Sequence, residues 1–277
     1  MCCFSRAVRH VSGTRIFARA LDHSRQALVY SMTLAADEAL AMILPLPVPV
    51  GLADDGVRFV DLSAYDGFFD DVARAFPMPA APQAFGRATG DIPRARPLVV
   101  HEVGSFEASF VPRLRDFDRL DPRFRMPDGV FDALPQVRDW GFAVFQLRDF
   151  GGGFFDKLAN VFRPAKSASE KLHPMAFEFP RRDPTTIFFP TLHVHDGTVE
   201  AKAHFDHTLY LQHDDAVATE GWWSSGTALG AYVDLARTKD IVDGALQVRQ
   251  RAMHGSHKNE DVFVRIAKEP TPTRRAA

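Results

Sequence analysis

The sequence predicts an α+β fold that consists mainly of antiparallel β-sheet with two or three helices packed on it. Three observations support this fold class. Short apolar segments recur between clusters of turn residues, which is typical of β-strands. One of them, residues 40–46, is apolar throughout, as in a strand buried on both faces. Only a few segments space their apolar residues three or four positions apart, as helices do.

The amino-terminal strands come first along the chain. Residues 14–19 alternate in polarity and residues 27–34 form a second strand, with the turn residues Asp22-His23-Ser24 between them. This arrangement predicts a β-hairpin. Residues 40–46 follow as a third strand. We expect the proline-rich stretch beginning at Pro45 to end it, because proline has no N–H to donate to a β-ladder.

The first helix is predicted at residues 63–75. Ser63 suits an N-cap, and the spacing of the apolar residues indicates one buried stripe that contains Phe68, Phe69, Val72 and Phe76. Shorter helices are predicted at residues 128–136 and 227–237. With 24 phenylalanines against 4 tyrosines and 3 tryptophans, the core is expected to consist largely of phenylalanine.

The rest of the chain predicts further strands at residues 57–60, 98–103, 107–111, 141–147 and 175–179. Its most informative segment is residues 186–212, where the turn signal Asp196-Gly197 separates two alternating runs. Asp-Gly between alternating segments is a strong signal for a two-residue hairpin turn. We therefore predict that the two runs pair antiparallel across this turn.

Residues 1–267 are predicted to form one body, followed by a disordered tail at residues 268–277. A second interpretation divides the body into two similar β units, residues 1–80 and 95–220, joined by a linker rich in proline and alanine at residues 77–97. Its basis is a weak internal similarity, since a run of apolar residues at the end of a strand precedes a proline in each unit, at Pro45 and at Pro190.

The composition excludes several classes of function. A net charge of −2 with no long basic run argues against nucleic acid and membrane surfaces as partners. No apolar segment is long enough to span a bilayer, and the first residues do not resemble a secretory signal. The two cysteines are adjacent, so they do not form a disulfide framework. These features predict a cytoplasmic protein, with a small molecule as the candidate partner.

Histidines flank the predicted hairpin turn. In a two-residue turn His195 faces Thr198 and His193 faces Glu200, so both histidines and the carboxylate share one polar face with His204. Imidazole and carboxylate groups together are common ligands of zinc, iron and manganese. The sequence thus predicts a divalent metal site at His193, His195, Glu200 and His204. The spacing His-x-His-x4-Glu also resembles the first metal motif of cupins, which likewise straddles a hairpin.

Cys2 is a second candidate for chemistry. Removal of Met1 would place its thiol beside its own α-amino group, which titrates near neutral pH and can act as a base. The start resembles that of choloylglycine and penicillin-V amidases, which have Met-Cys followed by an arginine some fifteen residues later. This resemblance implies an amidohydrolase with Cys2 as nucleophile and Arg15, or Arg19, as a catalytic partner.

The amino-terminal region also resembles an uncharacterised bacterial domain family. The matching segments are Cys2-Cys3-Phe4, then Gly13-Thr14-Arg15-Ile16-Phe17-Ala18, then Met42-Ile43-Leu44-Pro45-Leu46-Pro47. The resemblance implies a shared β-rich fold, and it does not indicate which activity, if any, the protein has. Three functions therefore stay open: a metal- or small-molecule-binding protein or metalloenzyme, an N-terminal-cysteine amidohydrolase, and a non-enzymatic interaction module.

Overall fold

The computed structural model describes residues 2–76, 101–103, 106–127, 129–147, 170–195, 197–213 and 220–266. Most of the regular structure in these residues is β-strand. In chain order the strands are β1 (Cys2–Phe4), β2 (His10–Ala20), β3 (Arg25–Ala35), β4 (Leu40–Leu46), β5 (Arg58–Asp61), β6 (His101–Val103), β7 (Phe106–Val111), β8 (Gly141–Leu147), β9 (Glu170–Lys171), β10 (Met175–Pro180), β11 (Thr186–Phe189), β12 (His193–Val194), β13 (Lys202–Gln212), β14 (Trp223–Ser224), β15 (Arg249–Lys258) and β16 (Val262–Arg265).

These strands form two large sheets and one small one. The six-stranded sheet has the order β12-β1-β4-β8-β7-β6, and the eight-stranded sheet has the order β14-β15-β13-β2-β3-β10-β5, with β9 beside β3. Strands β11 and β16 form the two-stranded sheet. Most pairs are antiparallel, but β12 is parallel to β1 and β13 is parallel to β2. The sheets are therefore mixed, so the expectation of a mainly antiparallel sheet is confirmed only in part.

The predicted amino-terminal strands are confirmed. β2 and β3 pair antiparallel on either side of Asp22, whose Oδ1 accepts hydrogen bonds from the backbone N–H groups of Ser24 and Arg25 at 2.6 and 2.7 Å. A carboxylate that accepts from the backbone of the next residues fixes a tight turn. Strands of residues 1–80 and 95–220 interleave in both large sheets, because β8 pairs with β4 and β10 pairs with β3. The linker at 77–97 and the tail at 268–277 lie outside the described residues.

β4 is buried along its whole length, as predicted, but it continues through Pro45. Ser5 exchanges two hydrogen bonds with the backbone of Ala41, both 2.9 Å long, so odd-numbered residues of β4 direct their backbone toward β1. Pro45 is one of them, and it lies beyond Met42 and Ile43, which pair with β1. The missing N–H of Pro45 therefore costs the ladder between these two strands no hydrogen bond.

Helical structure is shorter than predicted. The first predicted helix begins as a 3₁₀ turn (Ser63–Tyr65) and continues as α1 (Phe68–Ala73), while residues 131–137 and 229–238 form short 3₁₀ turns. The backbone of Asp234 is extended and interrupts the last of these segments. Gly230 also packs against the backbone of Gly244, where a Cβ would lie 2.6 Å from a carbonyl oxygen. Within the described residues, no helix has both the length and the apolar character needed to cross a membrane.

Phenylalanine rings fill the space on both sides of the two large sheets. Phe145 and Phe177 meet between the sheets, with ring centroids 5.8 Å apart. Phe142 packs outward against Phe117 of a 3₁₀ segment at 5.0 Å. On the far side of the eight-stranded sheet, Phe17 contacts Phe68 of α1 at 5.7 Å. The fold thus has four layers, with helical segments covering the outer face of each sheet.

A buried glutamine joins the two-stranded sheet to the body. The side chain of Gln26 in β3 donates to the backbone oxygen of Phe188 at 2.6 Å and accepts from the backbone N–H of the same residue at 3.0 Å. Gln26 is fully buried. Its amide takes the place of a neighbouring strand for this part of β11.

Replacement of this amide is expected to be costly. In Gln26→Leu both backbone groups of Phe188 lose their partner in a buried position, so the free energy of unfolding should fall by about 2–4 kcal/mol. Urea denaturation measures the change. Gln136→Leu, at an exposed position, is the matched control and should change stability by less than about 0.5 kcal/mol. Equal denaturation midpoints for the two variants would contradict a structural role of Gln26.

Candidate functional site

Three imidazole rings stack where β12 meets the inner face of the eight-stranded sheet. We call His193, His195 and His207 the histidine cluster. The ring of His193 lies 4.8 Å from that of His195 and 4.7 Å from that of His207, with interplanar angles of 19° and 30°. Phe205 stacks on His193 at 4.5 Å, and Phe4 lies 5.6 Å from His195. The cluster is therefore enclosed by aromatic surface.

A hydrogen bond connects two members of the cluster. The Nε2 atoms of His193 and His207 are 3.0 Å apart. One neutral imidazole must donate its N–H and the other must accept, because each carries a single ring proton. The Nδ1 atom of His207 is buried and has no hydrogen-bond partner in the described part of the chain. The pair is thus a buried dyad in which one ring proton lies in the hydrogen bond between the two Nε2 atoms.

Burial determines the charge of this dyad. Removal from water is the main cause that lowers the pKa of His193 to about 2, and the neighbouring His207 and His195 act in the same direction. Burial is also the main cause that lowers the pKa of His207, to about 3. Both rings are therefore uncharged at neutral pH.

The segment around residue 260 holds β12 in place. The side-chain oxygen of Asn259 accepts from the backbone N–H of His193 at 2.7 Å, and its amide group donates to the backbone oxygen of His193 at 2.9 Å. One carboxylate oxygen of Asp261 accepts from the N–H groups of Thr191 and Leu192, both at 2.9 Å. These side chains bind backbone groups on the edge of β12 that no strand of the described residues covers.

The predicted hairpin across Asp196-Gly197 is wrong. β12 pairs with β1 of the six-stranded sheet, whereas β13 pairs with β15 and β2 of the other large sheet. The two runs that flank the turn therefore separate into different sheets. The physical reason is burial on both faces of β12, because Val194 is almost fully buried and His193, which points to the opposite face, is buried as well. The turn signal predicts a change of direction but not the sheet that receives the next strand.

The residues predicted to bind metal are consequently divided. His193 and His195 are together in the histidine cluster, whereas Glu200 and His204 are exposed. Within the described residues, no group of three or more His, Cys, Asp or Glu side chains is arranged to hold a metal ion. The structure does not bring the four predicted ligands together, and binding of zinc, iron or manganese stays a prediction.

His207 is a site residue that the sequence analysis did not select. The burial of β13 alternates, with His207 on the buried face and Asp206 on the exposed face. The incorrect hairpin placed His193 on the exposed face of the same sheet. A signal for the true arrangement exists in the sequence, since Leu192-His193-Val194 can be read as a short strand buried on both faces.

Cys2 and Arg15 lie in different parts of the fold. The parallel register of β1 and β12 places Cys2 beside His193. Arg15 binds Asp70 of α1 at 2.6 Å and lies over the ring of Phe69, on the helix-covered outer face of the eight-stranded sheet. Arg19 lies on the same face and pairs with Asp243 at 3.3 Å. The structure therefore places Cys2 beside a member of the histidine cluster. Both arginines lie elsewhere, on the outer face of the eight-stranded sheet.

Comparison with known proteins gives a fold and no family. Neither a protein-family model nor a curated protein matches the sequence. The chain is similar to the crystal structure of baculovirus P35, with 13% identity and a TM-score of 0.50 over 96% of this chain and 100% of that chain. It is also similar to a mutated baculovirus P35 after caspase cleavage (12% identity, 93% and 100% covered, TM-score 0.47) and to P35 in the caspase-8/P35 complex (11% identity, 93% and 97% covered, TM-score 0.46).

Neutral buried histidines make stability depend on pH. The pKa of a histidine in the unfolded chain is near 6.5, so the unfolded state binds more protons than the folded state as the pH falls below that value. The free energy of unfolding should therefore decrease toward acid by about 1.4 kcal/mol per pH unit for each buried histidine. The decrease should continue until the folded pKa values of about 2 and 3 are reached.

This pH dependence can be measured by urea denaturation between pH 7 and pH 5. His207→Gln should lose about half of the slope contributed by the dyad, since glutamine does not titrate. His204→Gln, an exposed position on the same strand, is the matched control and should retain the wild-type slope. An unchanged slope in His207→Gln would show that this ring is not neutral and buried.

Proposed function

We propose that this chain is a non-enzymatic interaction protein that binds a cysteine peptidase. The observation that carries the proposal is the fold it shares with baculovirus P35, which extends over 96% of this chain and 100% of P35. Solved structures describe a mutated P35 after caspase cleavage and P35 in a complex with caspase-8. The step from P35 to this chain is an analogy between folds.

The chemistry of the histidine cluster favours binding over catalysis. A general base works best when its pKa lies near the operating pH. His193, with a pKa of about 2, is a weak proton acceptor at neutral pH. Its backbone is fixed by Asn259 and its ring is packed between aromatic neighbours, which suits a residue that rigidifies the amino-terminal edge of the sandwich.

Inhibition assays test the interaction directly. The purified chain should reduce the activity of at least one member of a panel of caspases and papain-like peptidases when added in stoichiometric amounts. Intact mass of both proteins after the reaction should show whether the chain is cut or remains attached to the peptidase. Serine peptidases are the control and should keep full activity. Full activity of the whole cysteine-peptidase panel in a large excess of the chain would refute the proposal.

A second candidate function is an N-terminal-cysteine amidohydrolase, and the register of Cys2 beside His193 favours it. After removal of Met1, the α-amino group would accept the thiol proton and the thiolate would attack an amide carbonyl. Collapse of the tetrahedral adduct would expel the amine, which leaves with a proton, and water would hydrolyse the thioester. The neutral imidazoles could donate hydrogen bonds to the developing oxyanion.

Mass spectrometry and one variant distinguish this candidate. If Cys2 is the nucleophile, intact mass should show loss of Met1, and iodoacetamide should add a single adduct because Cys3 is fully buried. Alkylation and Cys2→Ala should each abolish turnover of aryl-amide substrates. His204→Gln is the matched control and should keep wild-type turnover. Retention of Met1 in active protein, or equal turnover in Cys2→Ala, would exclude this mechanism.

A further inference from the structure

A cavity lies at the opposite corner of the sandwich, between β10, β11, β16 and the turn before β8. Its volume is about 320 Å³, within the range of small-molecule sites. Three aromatic rings form one wall. Trp140 meets Phe188 edge-on at 5.7 Å, and Phe263 lies 5.1 Å from Phe188 and 6.4 Å from Trp140. Phe263 is 46% exposed, so part of this wall faces solvent.

Arg181 lines the same cavity and is unusual in its burial. Only 7% of the residue is exposed. Its terminal nitrogens donate to the backbone oxygens of Pro184, Thr186 and Asp22 at 2.9, 3.3 and 2.7 Å. Its Nε–H is buried and has no hydrogen-bond partner within the described residues, where the guanidinium also forms no ion pair. A guanidinium stays charged at any physiological pH, so this corner holds a buried cation. Backbone carbonyl groups hydrogen-bond to it, and the carboxylates of Asp22 and Asp183 act on it through space.

The other charged groups around the cavity are already satisfied. Arg182 donates to the backbone oxygen of Val48 at 2.8 Å and to the carboxylate of Asp139 at 2.9 Å. Asp183 accepts from the N–H and the hydroxyl of Thr185 at 2.8 and 2.7 Å, and these bonds lower the pKa of its carboxyl group. Arg181 therefore keeps an Nε–H donor that no hydrogen bond within the described residues uses, while the carboxylate of Asp183 adds a negative charge to the same lining.

We propose that this cavity binds a small aromatic carboxylate, with its ring against Trp140, Phe188 and Phe263 and its carboxylate toward Arg181. The rings provide apolar surface with edge-to-face geometry that accepts another flat ring. The guanidinium provides the counter-charge, and its planar fork suits a carboxylate. The site lies away from the histidine cluster and does not depend on the proposed interaction with a peptidase.

Titration calorimetry with matched probes tests the proposal. The acids are benzoate, 2-naphthoate and indole-3-acetate, and the uncharged probes are their primary amides. For the acid that fits best, wild-type protein should bind the carboxylate about tenfold more tightly than its amide. Arg181→Met should abolish this preference, and Phe263→Ala should weaken the binding of both the acid and the amide. Arg113→Met, at an exposed position outside the cavity, is the control and should change neither affinity.

Each outcome decides the assignment. If Arg181→Met does not fold, two other measurements decide whether the site exists. The first is the preference of the wild type for acid over amide. The second is the loss of affinity in Phe263→Ala, which changes a residue at the rim of the cavity. Saturable binding with acid preference that Phe263→Ala weakens would support the site. Equal affinity for acid and amide, no saturable binding of any acid, or unchanged binding in Phe263→Ala would overturn it.

Discussion

The rest of the structure depends on the burial of phenylalanine rings between the two large sheets. This apolar layer buries the inner faces of β4 and β8, and the helical segments outside the sheet bury their outer faces. It also imposes a rule on every polar group that enters it, because an isolated charge in such surroundings is costly. The histidine dyad meets the rule by remaining neutral. Arg181, at the far corner, meets it only in part, through backbone carbonyl groups.

Much of the fold could be predicted from local patterns. The alternation in β2 and the apolar runs of β4 and β8 identify these strands, and the turn at Asp22 joins β2 to β3, because the signals lie within a few residues of one another. The helical segments were overestimated; in the segment predicted at 227–237, apolar spacing does not reveal that the backbone of Asp234 is extended. Parallel pairing of β2 with β13 was also missed, as it joins residues nearly two hundred positions apart.

The candidate sites were harder to predict than the strands. His193 and Cys2 are brought together by sheet register, and no short motif encodes a register between such distant strands. Similarly, the cavity combines Trp140, Arg181 and Phe263 from three separate segments. The sequence did identify His193, His195 and Cys2 as residues of interest from their chemistry. What it could not provide is the neighbour of each residue, which depends on how the sheets stack.

The bonds from Asn259 and Asp261 to β12 have a consequence for the protein in crowded solution. An edge strand with free N–H and C=O groups is a template on which another chain can add a strand. On β12 these groups are already occupied by side chains, which cannot extend a ladder as a backbone would. Asn259 and Asp261 thus occupy backbone groups of residues 191–193 that an added strand would need at this edge of the six-stranded sheet.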